Sequence, residues 1–219
     1  MRRMIGLMGI LISLISCSTI ATEPPAGVVK TTEQPSTAIS SVEVPVPLWK
    51  PGYTWQFRWE SPQGKGTFVW IIKREEIVDG VEHYVMTSGR QREMYWRKAD
   101  LAVSMDKVEG TIEERTVPSE LRYVWPLVPG KRWEQTFTRE KPRDNQTTEI
   151  TSTCQVKAEE TITVPAGSFR ALKIVCHNKL TDSLRYEAWY SPEVKQWIRE
   201  RGRFPYGMRE RELIDFKVD

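Results

Sequence analysis

From Leu48 onward, apolar and polar residues alternate along the chain with a period of two. In the clearest stretch, residues 54–60, the rings of Trp55, Phe57 and Trp59 occupy every second position. A helix would scatter these rings around its circumference, whereas a strand places them on one face, so the pattern predicts a β-strand. Similar short runs follow at 66–72, 93–97, 101–105, 133–139, 147–164, 168–178, 184–190, 196–201 and 212–218.

Turn signals separate these runs roughly every 8 to 15 residues, and no helical periodicity extends beyond about three turns. The segment Val78-Asp79-Gly80-Val81 is a strong hairpin signal, because Asp-Gly tolerates the positive φ angles that a two-residue turn requires. We therefore predict an all-β, mostly antiparallel fold, with one domain over residues 46–219.

Two halves of this domain carry similar phrases. The segment 51–55, Pro-Gly-Tyr-Thr-Trp, matches 129–133, Pro-Gly-Lys-Arg-Trp, and later matches occur at offsets of 84 and 94 residues. The alternative is that β-meanders share turn residues by chance. If the repeat is real, halves 46–120 and 121–219 are duplicated meanders that cover each other's apolar faces in a curved sheet, a half-barrel or a sandwich.

The first seventeen residues differ from the rest. Arg2 and Arg3 precede an uncharged apolar run at 4–16, which is too short to span a bilayer but suits a signal peptide. The run ends in Leu-Ile-Ser before Cys17, which resembles the lipobox of bacterial lipoproteins. The resemblance implies cleavage after residue 16 and acylation of Cys17, for example by palmitate. The alternatives are an uncleaved N-terminal anchor or a secretory signal cut near Ala21.

Residues 17–45 then form an expected lipid anchor and flexible tether. The segment is small, polar and proline-rich and has no aromatic residue, so it cannot bury enough surface to offset its ordering entropy. As a coil it would span about 30 Å. By analogy with lipoprotein sorting, Ser18 favours the outer membrane, with the domain facing the periplasm.

A family resemblance covers residues 125–200. The phrases beginning at Pro126 (Pro-Leu-x-Pro-Gly-x-x-Trp), at Val164 (Val-Pro-Ala-Gly-Ser-Phe) and at Trp189 (Trp-Tyr-Ser-Pro-Glu-Val) are similar to those of an uncharacterised group of bacterial periplasmic and lipoprotein β domains. Gln196 stands where that group has glycine. Membership implies an extended antiparallel sheet and brings no catalytic residue.

The body contains two cysteines, Cys154 and Cys176, which flank the predicted turn at 164–169 and each lie 11 residues from Pro165. A hairpin there brings them together across neighbouring strands, and in an oxidising compartment they are expected to form a disulfide. The alternative is two buried free thiols.

The sequence contains few other residues or motifs that indicate a catalytic or binding function. The net charge of +3 falls to +1 once Arg2 and Arg3 are removed, which argues against a nucleic-acid partner. His83 and His177 occur singly and are expected to be solvated, and no metal-binding, phosphate-loop or nucleophile motif is present in the sequence. We therefore expect no enzymatic activity, no metal and no cofactor.

The nine tryptophans suggest two non-catalytic functions. In the first, a curved sheet encloses an apolar or lipid-like ligand; in the second, the sheet docks another envelope protein. A hollow apolar cavity favours the first, and a filled core with an exposed apolar patch favours the second. The residues expected to form this ligand or core face are Trp55, Phe57, Trp59, Trp70, Trp96 and Trp189.

Overall fold

The computed structural model describes residues 43–89 and 91–219. The predicted signal peptide, Cys17 and nearly all of the predicted tether lie outside this range. Twelve strands and one short 3₁₀ turn, Pro142–Asp144, make up the described secondary structure. The strands are β1 Thr54–Ser61, β2 Gly64–Val78, β3 Val81–Ser88, β4 Arg92–Arg97, β5 Val103–Val108, β6 Thr111–Glu120, β7 Arg132–Lys141, β8 Gln146–Val164, β9 Gly167–Asn178, β10 Leu184–Ser191, β11 Gln196–Phe204 and β12 Gly207–Lys217.

Each strand pairs antiparallel with the next, and β12 pairs with β1, so the sheet closes into a barrel. The predicted all-β, antiparallel fold class is confirmed. Closure goes further than the expected curved sheet, and it removes the edge strands that an open sheet would expose.

The barrel has two distinct ends. At the plugged end, where β1 begins, Trp49 packs against Trp55, Tyr84 and Trp96 with ring centroids 5.4 to 5.6 Å apart. The indole N–H of Trp49 donates to the carbonyl of Lys195, 2.9 Å away. At the open end, where β1 ends, the chain turns at 61–64, 88–92, 108–111, 141–146, 178–184 and 204–207.

The tether was predicted to extend to residue 45, but Val44 already belongs to the ordered body. It is buried, and it exchanges two backbone hydrogen bonds with Leu127, at 2.9 and 2.8 Å. The ordered body therefore includes residue 44, where the apolar side chain and the paired backbone offset the ordering entropy.

The two halves share local backbone geometry. Gly52 and Gly130 both have positive φ, 94° and 88°, and precede β1 and β7. Gly52 N–H donates to the carbonyl of Ile72 and Gly130 N–H to that of Val156, each over 2.8 Å. Six strands fall within 46–120 and six within 121–219. Duplication itself stays a prediction.

The hairpin of β8 and β9 places Cys154 directly opposite Cys176, with Cα atoms 4.1 Å apart. Their sulfur atoms are bonded, as the spacing around the turn predicted. Both residues belong to the buried core of the barrel, so the bond joins the two strands from the inside.

Candidate functional site

Five of the six predicted aromatic residues are buried in the core, and Trp59 is partly exposed. Trp55, Phe57, Trp70 and Trp96 are buried, and Phe57 stacks on Trp197 with centroids 4.1 Å apart. These rings contact one another rather than surround an apolar cavity. The expected hollow for an apolar ligand is therefore replaced by packed rings at this level of the barrel.

Trp189 is also buried, at 5% exposed, and belongs to the same core cluster, but it lies on the opposite face of its strand from Tyr190. It opposes Arg199 on the outer side of the barrel, and its N–H donates to Glu160 over 3.0 Å. The cationic groups of Lys173, Arg199 and Arg201 lie 4.9 to 6.0 Å from its ring centroid. Successive residues of a strand point to opposite faces, so the next ring, Tyr190, points inward, where it opposes Trp197.

The histidines do not form a site. His83 is buried, contrary to prediction, with its ring nitrogens 2.9 Å from the Val81 carbonyl and the Ser104 hydroxyl. His177 lies near the surface, 3.1 Å from Asp182. Within residues 43–89 and 91–219, no cluster of His, Cys, Asp or Glu is arranged to hold a metal ion.

The open end of the barrel contains a cavity of about 470 Å³. Seven arginines line it against four carboxylates, so its walls carry an excess of positive charge. We call it the arginine chamber. Its charged residues are Arg92, Arg122, Arg139, Arg185, Arg203, Arg209 and Arg211 with Asp106, Glu114, Glu120 and Glu200.

Glu200 is the most deeply held carboxylate in the chamber. It is 3% exposed, and it accepts hydrogen bonds from Arg211 and, over 2.7 Å, from Arg122. Burial alone would raise its pKa, but the charges of Arg211 and Arg122 outweigh that effect and hold the pKa below the ordinary value. Glu200 is therefore ionised, and each neighbouring guanidinium is partly neutralised.

Two further carboxylates, Glu120 and Glu114, form ion pairs with arginines on strands other than β11 and β12. Glu120 accepts a hydrogen bond from Arg185 over 3.1 Å and lies 3.6 Å from Arg139. Arg139 in turn lies 2.9 Å from Glu114. Burial raises the pKa of Glu114, and the positive charge of Arg139 only partly opposes it.

Asp106 lies beside Glu114 in the register of β5 and β6 and pairs with Arg92. Burial raises its pKa as well, with Arg92 acting in the opposite direction. Among the chamber's carboxylates, the pKa of Glu200 is lowered by its arginine partners, whereas burial raises the pKa values of Asp106 and Glu114.

Two of the seven chamber arginines, Arg203 and Arg209, have no carboxylate partner among the described residues; Arg203 is exposed, whereas Arg209 is partly buried. Within the described part of the chain, the Nε of Arg209 is buried without a hydrogen-bond partner. Its guanidinium instead stacks on the ring of Phe204, 4.1 Å from the centroid. A buried donor without a partner is costly, so Arg209 is poised to accept an anion.

A second cavity of about 450 Å³ adjoins the chamber at its mouth. Its lining combines the aromatic rings of Trp59, Phe68 and Tyr206 with the guanidinium groups of Arg92, Arg209 and Arg211. A larger depression of about 1110 Å³ lies against β1, β2 and β12, but most of its charged groups are paired on the outer surface.

The sequence contained a signal for the chamber that alternation alone could not resolve. Along β12, Arg209 and Arg211 share the face of Leu213, which is fully buried, whereas Glu210 and Glu212 share the other face. Both faces of β12 are charged, so polarity does not show which face points inward. Only the position of the apolar Leu213, two residues after Arg211, indicates that the arginines do.

No protein-family model matches the chain, and no curated protein matches it significantly. Distant likenesses exist among solved structures. One from Bacteroides fragilis, provisionally named an exported protein with a YmcC-like fold, is 13% identical, covers 81% of this chain and 100% of its own, and has a TM-score of 0.45.

Two others score lower. A provisionally named lipoprotein from Parabacteroides distasonis is 13% identical over 80% of this chain and 97% of its own, with a TM-score of 0.38. The hypothetical lipoprotein YmcC from Escherichia coli is 12% identical over 76% of this chain and 85% of its own, with a TM-score of 0.39. These likenesses are too distant to indicate a function.

The described residues contain no helix with the length and apolar character needed to cross a bilayer.

Proposed function

We propose that this chain is a non-catalytic, lipid-anchored protein of the bacterial cell envelope that binds an anionic ligand in the arginine chamber. The anchor is supported by the lipobox-like segment before Cys17. A disulfide between Cys154 and Cys176 suits an oxidising compartment such as the periplasm. Outer-membrane placement is the further expectation that Ser18 favours.

Binding of an anion is supported chiefly by Arg209. Its guanidinium faces a cavity, has no carboxylate partner among the described residues, and lies among other arginines. Like charges placed together in a partly buried site repel one another, and an anion relieves that repulsion. Five of the chamber's other arginines pair with carboxylates, and the sixth, Arg203, is exposed, so Arg209 supplies the uncompensated charge that is partly buried.

Docking of another envelope protein has weaker support in the structure. The large apolar side chains exposed on the described surface are spread over four strands and two loops. They are Leu48, Val69, Ile71, Ile77, Val81, Val117, Leu180 and Met208.

The test is the thermal stability of the native, lipidated protein in dodecyl maltoside, measured with 0.1 to 5 mM sulfate at constant ionic strength. A ligand of the folded state raises the Tm in a saturable way. We expect sulfate to do so in the wild type and in Arg170→Gln, a control at an exposed arginine on the outer surface.

Arg209→Met should abolish the sulfate-dependent rise in Tm. Its own Tm without sulfate should equal or exceed that of the wild type, because the substitution removes an unpartnered buried donor. An equal rise in wild type and Arg209→Met would refute the chamber as the anion site, as would the absence of any rise in the wild type.

A further inference from the structure

The mouth cavity lies directly beside the arginine chamber and shares five of its lining residues. Arg92, Arg209, Arg211, Trp70 and Met94 line both, so a single ligand can touch both spaces at once. Each cavity is within the range of sizes typical of small-molecule sites, about 300 to 1,000 Å³. The two spaces differ in chemistry, since the inner one is charged and the outer one has an aromatic wall.

Two glycines allow aromatic rings to lie flat against the barrel wall beside the mouth. A Cβ atom at Gly66 would come within 2.9 Å of Nε1 of Trp59, and one at Gly202 within 3.0 Å of the Phe204 ring. Gly66 pairs with Trp59 across β1 and β2, and Gly202 pairs with Arg209 across β11 and β12. Any larger residue would push these rings toward the cavity, so the glycines keep the opening clear.

The rings at the mouth are only partly covered. Trp59, Phe68 and Tyr206 retain exposed surface, unlike the fully buried Trp55 and Phe57 deeper in the barrel. Exposed aromatic surface that lines a concavity is typical of a binding wall for an apolar group. The same cavity is lined by the cationic groups of Arg92, Arg209 and Arg211.

From this arrangement we infer that the ligand is an anionic amphiphile. The carboxylate or phosphate head group of the ligand lies against Arg209 and Arg211, and its alkyl chain lies on Trp59, Phe68 and Tyr206. The inference rests on the proposed anion-binding function and adds the apolar half of the ligand. The inferred ligand is lipid-like, as the sequence suggested, but its binding site is at the mouth of the barrel rather than inside the aromatic core.

The experiment is calorimetric titration of the native, lipidated protein in dodecyl maltoside with methyl phosphate, hexyl phosphate, hexanoate and hexanol. A fully buried methylene strengthens binding by about fourfold. On a partly open wall we expect hexyl phosphate to bind at least about tenfold more tightly than methyl phosphate, and hexanol not to bind. Comparison of hexyl phosphate with hexanoate distinguishes a phosphate head from a carboxylate head.

A Trp59→Ser, Tyr206→Ser double variant tests whether the alkyl chain of the ligand lies on the mouth rings. It should bind methyl phosphate as the wild type does while losing most of the gain from the hexyl chain. Arg209→Gln should lose both ligands, and Arg170→Gln should lose neither, which excludes partition into the micelle.

Binding of methyl and hexyl phosphate with equal affinity would overturn this inference and leave the anion site standing. A full chain-length gain in the double variant would overturn the placement on the mouth rings. Failure of every phosphate and carboxylate to bind would refute the proposed function itself.

Discussion

At the plugged end of the barrel Trp49, Trp55 and Trp96 pack together, whereas at the open end the same strands direct arginines and carboxylates into a cavity. Strand β4 carries Trp96 near the first end and Arg92 near the second. Strand β1 likewise carries the buried Trp55 and, four residues later, the partly exposed Trp59. A single strand thus serves both packing and the candidate site.

The two ends of the barrel contribute differently to stability and to binding. Apolar burial at the plugged end supplies stability that the open end does not need to contribute. The open end can then retain an unpartnered Arg209 and a cavity, both of which cost stability. Substitutions at the two ends should therefore affect different properties.

The largest contrast is expected between two tryptophans of β1. Trp55→Ala removes a fully buried ring and leaves the Val194 carbonyl without the indole donor that lies 2.8 Å away. We expect it to lower the free energy of unfolding by about 4 kcal/mol. Trp59→Ala, at the mouth, should cost less than about 1.5 kcal/mol. Urea denaturation followed by circular dichroism measures both.

Trp55→Phe is the matched control, because it keeps an aromatic ring and removes only the donor and part of the volume. It should fall between wild type and Trp55→Ala. Equal losses for Trp55→Ala and Trp59→Ala would contradict the assignment of stability to the plugged end.

The second contrast lies within the chamber. Glu200→Gln leaves Arg122 and Arg211 without their buried carboxylate, which should cost about 3 kcal/mol. Asp106→Asn should cost less than half as much, because burial raises the pKa of Asp106 and already disfavours its charged form. Urea denaturation at pH 7 measures both changes, and a larger loss for Asp106→Asn would contradict the difference in pKa direction.

Much of the fold was predictable from local pattern. Strands such as β1 were found because large rings alternate with polar residues, and the Asp79-Gly80 turn because of its residue types. Strand β6 was missed because charges occupy successive positions near its start and Pro118 lies near its end. Closure between β1 and β12 joins residues at opposite ends of the domain, and no local signal reports such a pairing.

The candidate site was less predictable. An inward-pointing arginine such as Arg211, whose side chain is 15% exposed, departs from the expectation that charges face water, and the neighbouring glutamates give both faces of β12 the same polarity. Similarly, Glu200 points inward in phase with Ile198, although its neighbours on β11 are also charged. Only the closed barrel shows that these side chains meet in one space.

The smallest expected effect is the pH dependence of sulfate binding. Sulfate keeps its charge from pH 8 to pH 5, so changes in affinity over that range report on the protein. Burial raises the pKa values of Asp106 and Glu114, whose nearest cations are Arg92 and Arg139. As the pH falls toward these raised pKa values, both carboxylates take up protons in the folded state, and the positive excess of the chamber grows.

The direction of each effect follows from the pKa shifts. A raised folded-state pKa means that Asp106 and Glu114 gain protons before they would in the unfolded chain, so their protonation favours folding as the pH falls. The lowered pKa of Glu200 works in reverse, and its contribution to stability is lost only as the pH falls through that lowered value.

We therefore expect sulfate affinity to increase by about threefold from pH 7 to pH 5, measured by titration calorimetry of the native protein. The double variant Asp106→Asn, Glu114→Gln mimics the protonated pair, so it should bind sulfate more tightly at pH 7 and show little change with pH. Because it removes both titrating carboxylates while leaving Arg209 in place, a pH dependence that persists unchanged in this variant would show that other groups control the charge of the chamber.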